Sequence, residues 1–229
     1  MDRAFILGMN YHSPMPPRIL LDFDGTVTLR DTVDAVLEQF ALPEWHDVEA
    51  EWESGLIGSR ECLTRQVALI RATPEAMDRF VDSIDIDPTF IDLVMMNRRL
   101  GADLEIVSDG FERSVRRIMR RLDFVCPVRA NMLLPVERDR WSLLSPHAKD
   151  ECRSKAGTCK CAAGRGRRSI LIGDGRSDFC VAHEASFVFA KGRLADYCEA
   201  EGIAHMRIRH LGDVVEPLAR RLSQMAEAV

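Results

Sequence analysis

The chain has 229 residues, 46% hydrophobic and 29% charged, with a formal net charge of -5. That is enough for one large domain or for a core carrying an insert, and an acidic balance with no long basic run argues against a nucleic-acid or membrane-surface binder. No apolar run approaches the roughly 18–20 residues a membrane span needs, and seven scattered cysteines do not form a disulfide framework, so a reducing cytoplasm fits best.

Residues 1–17 read as an N-terminal tail: Ala4 to Leu7 is apolar but lacks the positive flank and cleavage site of a signal peptide. Ile19-Leu20-Leu21 is a short apolar run that ends in Asp22-Phe23-Asp24-Gly25-Thr26, the pattern of a buried parallel strand. From Asp31 to about Leu100 the character is helical. Val33, Val36, Leu37 and Phe40 share one helix face, a second helix follows Ser59, and Thr73-Pro74 and Asp87-Pro88 open two more, with Gly101 as the stop. Leu104 to Val107 is a second strand, ending at Ser108-Asp109-Gly110 before a helix over about 111–122. Residues 124–134 are β-like, and 145–168 are irregular. Ser169 to Ile172 is a third strand, ending at Gly173-Asp174-Gly175-Arg176-Ser177-Asp178. A helix over 177–184, a strand over 187–190 and helices near 194–201 and 212–227 close the chain.

Strands alternating with helices predict a doubly wound α/β sheet, with a helical cap over 31–100 inserted in a core of 18–30 and 101–229. Ligands of such sheets sit beyond the C-terminal strand ends, where three polar clusters converge. Asp22 and Asp24 lie two apart on an extended chain and point the same way. One carboxylate can attack phosphorus while the other protonates the leaving oxygen and then activates water. The Ser108 hydroxyl and the Asp109 and Gly110 amides can hold a phosphoryl oxygen. Asp174 and Asp178 supply hard oxygen ligands suited to Mg²⁺. A dianionic phosphate meeting a carboxylate needs a cation and a lysine, since each unit pair at about 4 Å costs about 4 kcal/mol at an effective dielectric near 20. Lys149, Lys155 and Lys160 precede the third strand.

Taken in order, D-F-D-G-T-V-T at 22–28, S-D-G at 108–110, a lysine, and G-D-G-R-S-D at 173–178 resemble the four motifs of the haloacid-dehalogenase superfamily. The resemblance implies Asp22 as nucleophile and Asp24 as general acid/base. It implies phosphate held by Thr26 and Ser108, Mg²⁺ bound by Asp22, the Asp24 carbonyl and Asp174, and support from Asp178. A helical insert between the first two motifs is similar to the phosphoserine-phosphatase-like branch, where Asp31 and Arg65 fall at substrate-contacting positions. Ser59-Arg60-Glu61-Cys62-Leu63 and Gly157-Thr158-Cys159-Lys160 resemble the methionine-salvage phosphatases that act on 2-hydroxy-3-keto-5-methylthiopentenyl-1-phosphate. The Cys-Lys pair selects Lys160, with Lys155 in reserve because Ala-Ala-Gly-Arg-Gly-Arg-Arg after Lys160 is a poor helix.

The expected partner is therefore a small phosphorylated metabolite, with phosphoserine, phosphocholine or phosphoethanolamine as alternative substrates. A non-catalytic phosphate-binding protein on the same fold is the alternative to an enzyme; nothing indicates an oligomeric state. Trp45 and Trp52 read as cap core or hinge packing. His147, Cys152, Cys159 and Cys161 lack a usual zinc spacing and read as structural thiols rather than a zinc module. Hinges near 28–31 and 98–103 would let the cap close.

Overall fold

The computed structural model describes residues 17–227, so the expected tail lies, but for Pro17, outside the described residues. Strand β1 (Arg18–Leu21) is apolar and buried on both faces, so it sits mid-sheet. It pairs in parallel with β2 (Asp103–Phe111) on one side and β5 (Ser169–Gly173) on the other. With β3 (Val128–Pro135), β4 (Trp141–Leu144), β6 (Phe187–Ala190) and β7 (His205–Arg207), the order is β4-β3-β2-β1-β5-β6-β7. Only β4 runs antiparallel, as the return arm of a hairpin with β3. The doubly wound α/β expectation holds, and β1, β2 and β5 stand side by side, which brings their C-terminal ends to one rim. No helix among the described residues is long and apolar enough to cross a membrane.

The helical block after β1 holds α1 (Thr32–Phe40), α2 (Trp45–Glu53), α3 (Ser59–Leu69), α4 (Pro74–Asp82) and α5 (Phe90–Leu100). Thr73 caps α4 with Pro74 in its first turn, and Gly101, at φ +60°, ends α5. The block, expected as a cap over 31–100, packs in two directions. Phe90, Leu93, Val94 and Met96 of α5 pack with Ile19, Ile106 and Phe189 in the main core. Asp87 Oδ2 accepts the Leu211 N–H at 2.7 Å and Thr89 Oγ1 accepts the Gly212 N–H at 2.7 Å, which fastens the start of α5 to α10 (Gly212–Glu227). The chain leaves and re-enters the core at the antiparallel bridge between Thr28 and Ile86. The second hinge expected near 98–103 is therefore the end of a core helix.

The remaining cap, α1 to α4, is seated broadly on the core. Val36, Leu37, Val67, Ile70 and Met77 share a buried cluster with Phe111, Leu133 and Trp141, and each such fully buried side chain contributes about 1.5–3 kcal/mol. The Trp141 indole N–H donates to the Ala72 carbonyl at 2.8 Å. Arg113 and Arg117 of α6 (Glu112–Arg121) reach Asp78 of α4 at 2.7 and 2.9 Å.

Candidate active site

Asp22 leaves β1 at the sheet rim, while Phe23 turns into the core and is fully buried. Asp22 Oδ1 lies 2.7 Å from Lys160 Nζ and accepts the Phe23 N–H at 2.8 Å. The same ammonium reaches Asp178 Oδ1 at 2.7 Å and donates to Ser177 Oγ at 3.0 Å. Of the three candidate lysines, Lys160 is thus the one beside Asp22, on the first turn of the short helix α7 (Lys160–Gly164). Lys149 and Lys155 are exposed, and Lys155 packs against Gly58 instead.

Carboxylate oxygens of Asp22, Asp174 and Asp178 lie within 4.8 Å of one another, the only such group of three acidic, histidine or cysteine ligands among the described residues. Asp178 Oδ2 accepts the Asp174 and Gly175 N–H groups at 3.2 and 3.3 Å, which folds the loop after β5 back on itself. Burial, then the Asp178 charge, push the Asp22 carboxyl well above the usual carboxylate range, although Lys160 pulls it down. Burial and Asp178 likewise raise Asp174 to about 6. Crowded hard oxygens with too little positive charge fit a divalent cation such as Mg²⁺. Gly25 lets this happen: at φ +71° its place has no room for a Cβ, which would stand 2.5 Å from Asp174 Oδ2.

Asp24 faces the cap. Its Oδ1 accepts from the Thr32 N–H at 3.1 Å and from the Thr32 hydroxyl, and its Oδ2 accepts the Ser108 hydroxyl at 2.7 Å. Ser108 Oγ in turn accepts the Gly110 N–H at 2.8 Å, on a stretch of β2 that bulges against β3 between Val107 and Phe111. Thr26 and Ser108, the residues expected to hold phosphate, turn their hydroxyls to carboxylates of the site. Thr26 Oγ1 donates to Asp174 Oδ1 at 3.0 Å, and both side chains are buried and serve the carboxylates.

Above the rim lies a cavity of about 180 Å³ between core and cap. Asp22, Asp24, Asp174, Asp109 and Gly110 form its floor; Asp31, Asp34, Glu49, Trp52, Leu63 and Gln66 stand on the cap side. Asp31 is present as expected and caps α1, accepting the Val33 and Asp34 N–H groups at 2.7 and 3.1 Å. Arg65 is not: it turns away and makes a bidentate pair with Glu51 at 2.6 and 2.7 Å. Trp45 is cap core, but Trp52 lines the cavity, with the Arg176 guanidinium 4.9 Å over its ring. The thiols of Cys152, Cys159 and Cys161 pack among Leu20, Leu171 and Val181, and among the described residues they form no group of three candidate metal ligands with His147.

Other contributors were not singled out from the sequence. Thr32 orients Asp24, and Lys191, just after β6, donates to the Gly25 carbonyl at 2.9 Å. A basic residue directly after a strand that ends at the same rim was the available signal.

A family model described as haloacid dehalogenase-like hydrolase matches residues 19–183. Two 2-hydroxy-3-keto-5-methylthiopentenyl-1-phosphate phosphatases are similar along most of their length. That of Exiguobacterium sp. (strain ATCC BAA-1283 / AT1b) is 29% identical, over 87% of this chain and 96% of its own. That of Exiguobacterium sibiricum is 31% identical, over 89% and 97%. In fold the chain is similar to a phospho-aspartyl intermediate analogue of phosphoserine phosphatase (TM-score 0.67, 18% identity, covering 88% of this chain and 98% of that one). It is similar also to a phosphoserine phosphatase from T. onnurineus (TM-score 0.69, 18% identity, 93% and 98%). With the motifs on adjacent strand ends and these matches along its length, the chain belongs to the haloacid dehalogenase-like hydrolase family and is a phosphatase.

Proposed function

We propose that the protein is a Mg²⁺-dependent phosphomonoester hydrolase that works through an aspartyl phosphate on Asp22. The observation that carries this is Asp22 held by Lys160 at 2.7 Å inside a three-carboxylate group, with Asp24 beside it on the cavity floor. In the first step a carboxylate oxygen of Asp22 bonds to phosphorus. The bond to the leaving oxygen breaks, and that oxygen takes a proton from Asp24. In the second, water attacks phosphorus and gives a proton back to Asp24. The bond to Asp22 breaks and inorganic phosphate departs. Asp22 and Asp174, with support from Asp178, would hold Mg²⁺, which when bound would supply charge neutralisation at the phosphoryl oxygens. Lys160 neutralises Asp22 and Asp178 from behind, and Ser108 and Thr32 aim Asp24.

Among substrates, 2-hydroxy-3-keto-5-methylthiopentenyl-1-phosphate is the one the reading favours. The relatives carry that activity in their names, and the cap wall offers Val33, Trp52, Cys62 and Leu63 to an apolar tail. Phosphoserine is disfavoured, because the pairing of Asp31 with Arg65 that would clasp a zwitterion is not formed. Phosphate release should be measured with Mg²⁺ for this ester, phosphoserine, phosphocholine and phosphoethanolamine. We expect release from the thioether ester to be fastest and to stop on chelation with EDTA. No release from any of the four in excess Mg²⁺ would favour a binding protein instead.

The glycine cradle gives a sharper test. A methyl on Gly110 would overlap Asp24 Oδ2 and press on Ser108 Oγ at 3.1 Å. Gly110→Ala is expected to displace the acid/base and lower kcat about 10²-fold. Steady-state kinetics alongside thermal melting would separate that from unfolding; full activity in the variant would mean that Asp24 need not sit where the structure puts it.

A further inference from the structure

Asp109 offers the site more than a backbone amide. Its carboxylate stands where three separate parts of the chain meet. Oδ2 accepts the hydroxyl of Ser59, in the first turn of cap helix α3, at 2.6 Å. Oδ1 accepts Asn131 Nδ2, from β3, at 3.1 Å, and the backbone N–H of Thr158 at 2.8 Å. Thr158 lies two residues before Lys160, on the loop that delivers that lysine to Asp22. Asn131 and Thr158 are fully buried, and Asn131 also donates to the Asp109 carbonyl at 2.6 Å. Asn131 Oδ1 and Thr158 Oγ1 have no hydrogen-bond partner, so Asp109 is the anchor these two buried residues share. Packing there is tight, since a Cβ at Gly157 would overlap the Asn131 amide.

The cap side of this junction differs from the rest of the cap. The α4 side is bolted to α6 by Arg113 and Arg117, and the hairpin side by Trp141. Besides the packing of α3 on Leu133 and Trp141 and the Arg176 guanidinium over Trp52, the α2–α3 edge makes two hydrogen bonds to the core, from the Ser59 hydroxyl and, one residue on, from the Arg60 N–H to the Lys155 carbonyl at 2.9 Å. Both hydrogen bonds land on Asp109 or on the Lys160 loop. The link between α2 and α3 is open, with Gly55 at φ +80° and Leu56 77% exposed. This edge also bears Trp52 and Ser59, which line the cavity.

We propose that Asp109 is a positioning residue that makes two events one: closure of the α2–α3 edge over the cavity, and seating of the loop that carries Lys160. The carboxylate accepts from both sides at once, so losing the cap hydroxyl loosens its hold on the Thr158 amide. Ionic hydrogen bonds have the strength for this. The proposal rests on the phosphatase reading where it assigns Lys160 to the reaction at Asp22.

The test uses Ser59→Ala, Ser59→Thr, Asp109→Asn and the Ser59→Ala/Asp109→Asn double variant of the full chain. Amide hydrogen exchange is followed without substrate over residues 54–66 and 156–162, and kcat/KM is measured on the best ester of the panel. Ser59→Ala is expected to speed exchange in both segments about tenfold and to lower kcat/KM about tenfold, the size of one hydrogen bond to a charged group. Exchange in α4 and α6 should stay unchanged, and Ser59→Thr should restore both segments and the rate. In the Asp109→Asn background, Ser59→Ala should add less than about twofold. Faster exchange in 54–66 alone, with 156–162 unmoved, overturns the coupling, as does independent multiplication of the two single effects. If Asp109→Asn does not fold, the Ala and Thr variants at Ser59 decide. If the wild type releases phosphate from no ester yet both segments respond together, the phosphatase reading fails and the coupling stands.

Discussion

Asp22→Asn is expected to lower turnover by at least about 10⁴-fold, a loss of about 5.5 kcal/mol of transition-state stabilisation. The size follows from what the substitution takes away. An amide has the shape of the carboxylate, and its oxygen can still accept from Lys160 and the Phe23 N–H, which the structure places at 2.7 and 2.8 Å. It has no ionised oxygen to bond to phosphorus, so the covalent route closes. Stability should move the other way. Burial and the Asp178 charge make the ionised Asp22 costly in the folded protein without metal. A neutral amide removes that cost, so the variant should melt no lower than the wild type in EDTA. It should also respond less to Mg²⁺, because one of three converging carboxylates is gone. Phosphate release, melting with and without Mg²⁺, and mass spectrometry of the acid-quenched enzyme for a phosphoryl group on the Asp22 peptide check all three points. Turnover within about tenfold of wild type, well short of what losing a nucleophile costs, would place the nucleophile elsewhere.

The sheet and its rim were legible because strand β1 and strand β5 are short, apolar and punctuated by Asp and Gly, which is what buried parallel strands ending at a site require. Strand β4 was missed because Trp-Ser-Leu-Leu is brief and follows a charged turn; its place is set by pairing with β3 and by the Trp141 bond to Ala72. Strand β7 is three residues, His-Met-Arg, with no apolar pattern, and is held in the sheet by pairing with β6. The packing of α5 was hidden for a different reason. The openings at Thr73-Pro74 and Asp87-Pro88 read alike as helix starts, yet α4 joins the cap and α5 the core. That choice is made by Asp87 bonding to Leu211 across 124 positions of sequence, a contact no local pattern announces.

The site shows the same division. Residues whose chemistry follows from their motif, the aspartates at 22, 24, 174 and 178, sit where strand ends put them. Residues whose part depends on a partner from another element were out of reach. Arg65 has the helix position to face inward, but Glu51 on α2 takes both of its terminal nitrogens. Trp52 has the pattern of a packing residue, and its place on the cavity wall goes with Arg176, from the loop after β5, over its ring. Asp109 read as an amide donor, and its carboxylate gained meaning only from Ser59, Asn131 and Thr158.

Lys160→Met is expected to cost about 3–5 kcal/mol of stability in EDTA, seen as a melting point roughly 10 °C lower, and to cut kcat about 10²–10³-fold in Mg²⁺. Methionine fills much of the same buried volume, so the loss is electrostatic rather than a cavity. With the ammonium removed, Asp22 and Asp178 have no positive partner between them, and each is at most 5% exposed in its side chain. Two unit charges about 4 Å apart repel by about 4 kcal/mol at an effective dielectric near 20. Mg²⁺ held among the same carboxylates would supply positive charge there, so it should return part of the lost melting temperature. It should not return the rate in full, because the direct contact of the Lys160 ammonium with Asp22 Oδ1, 2.7 Å long, is lost. Lys155→Met is the matched control, as Lys155 is exposed and lies beside Gly58 through the aliphatic part of its side chain. A surface change of that kind should stay within about 0.5 kcal/mol of wild type. If Lys155→Met abolished turnover while Lys160→Met remained active and stable in EDTA, the lysine at the centre of the proposed chemistry would be the wrong one.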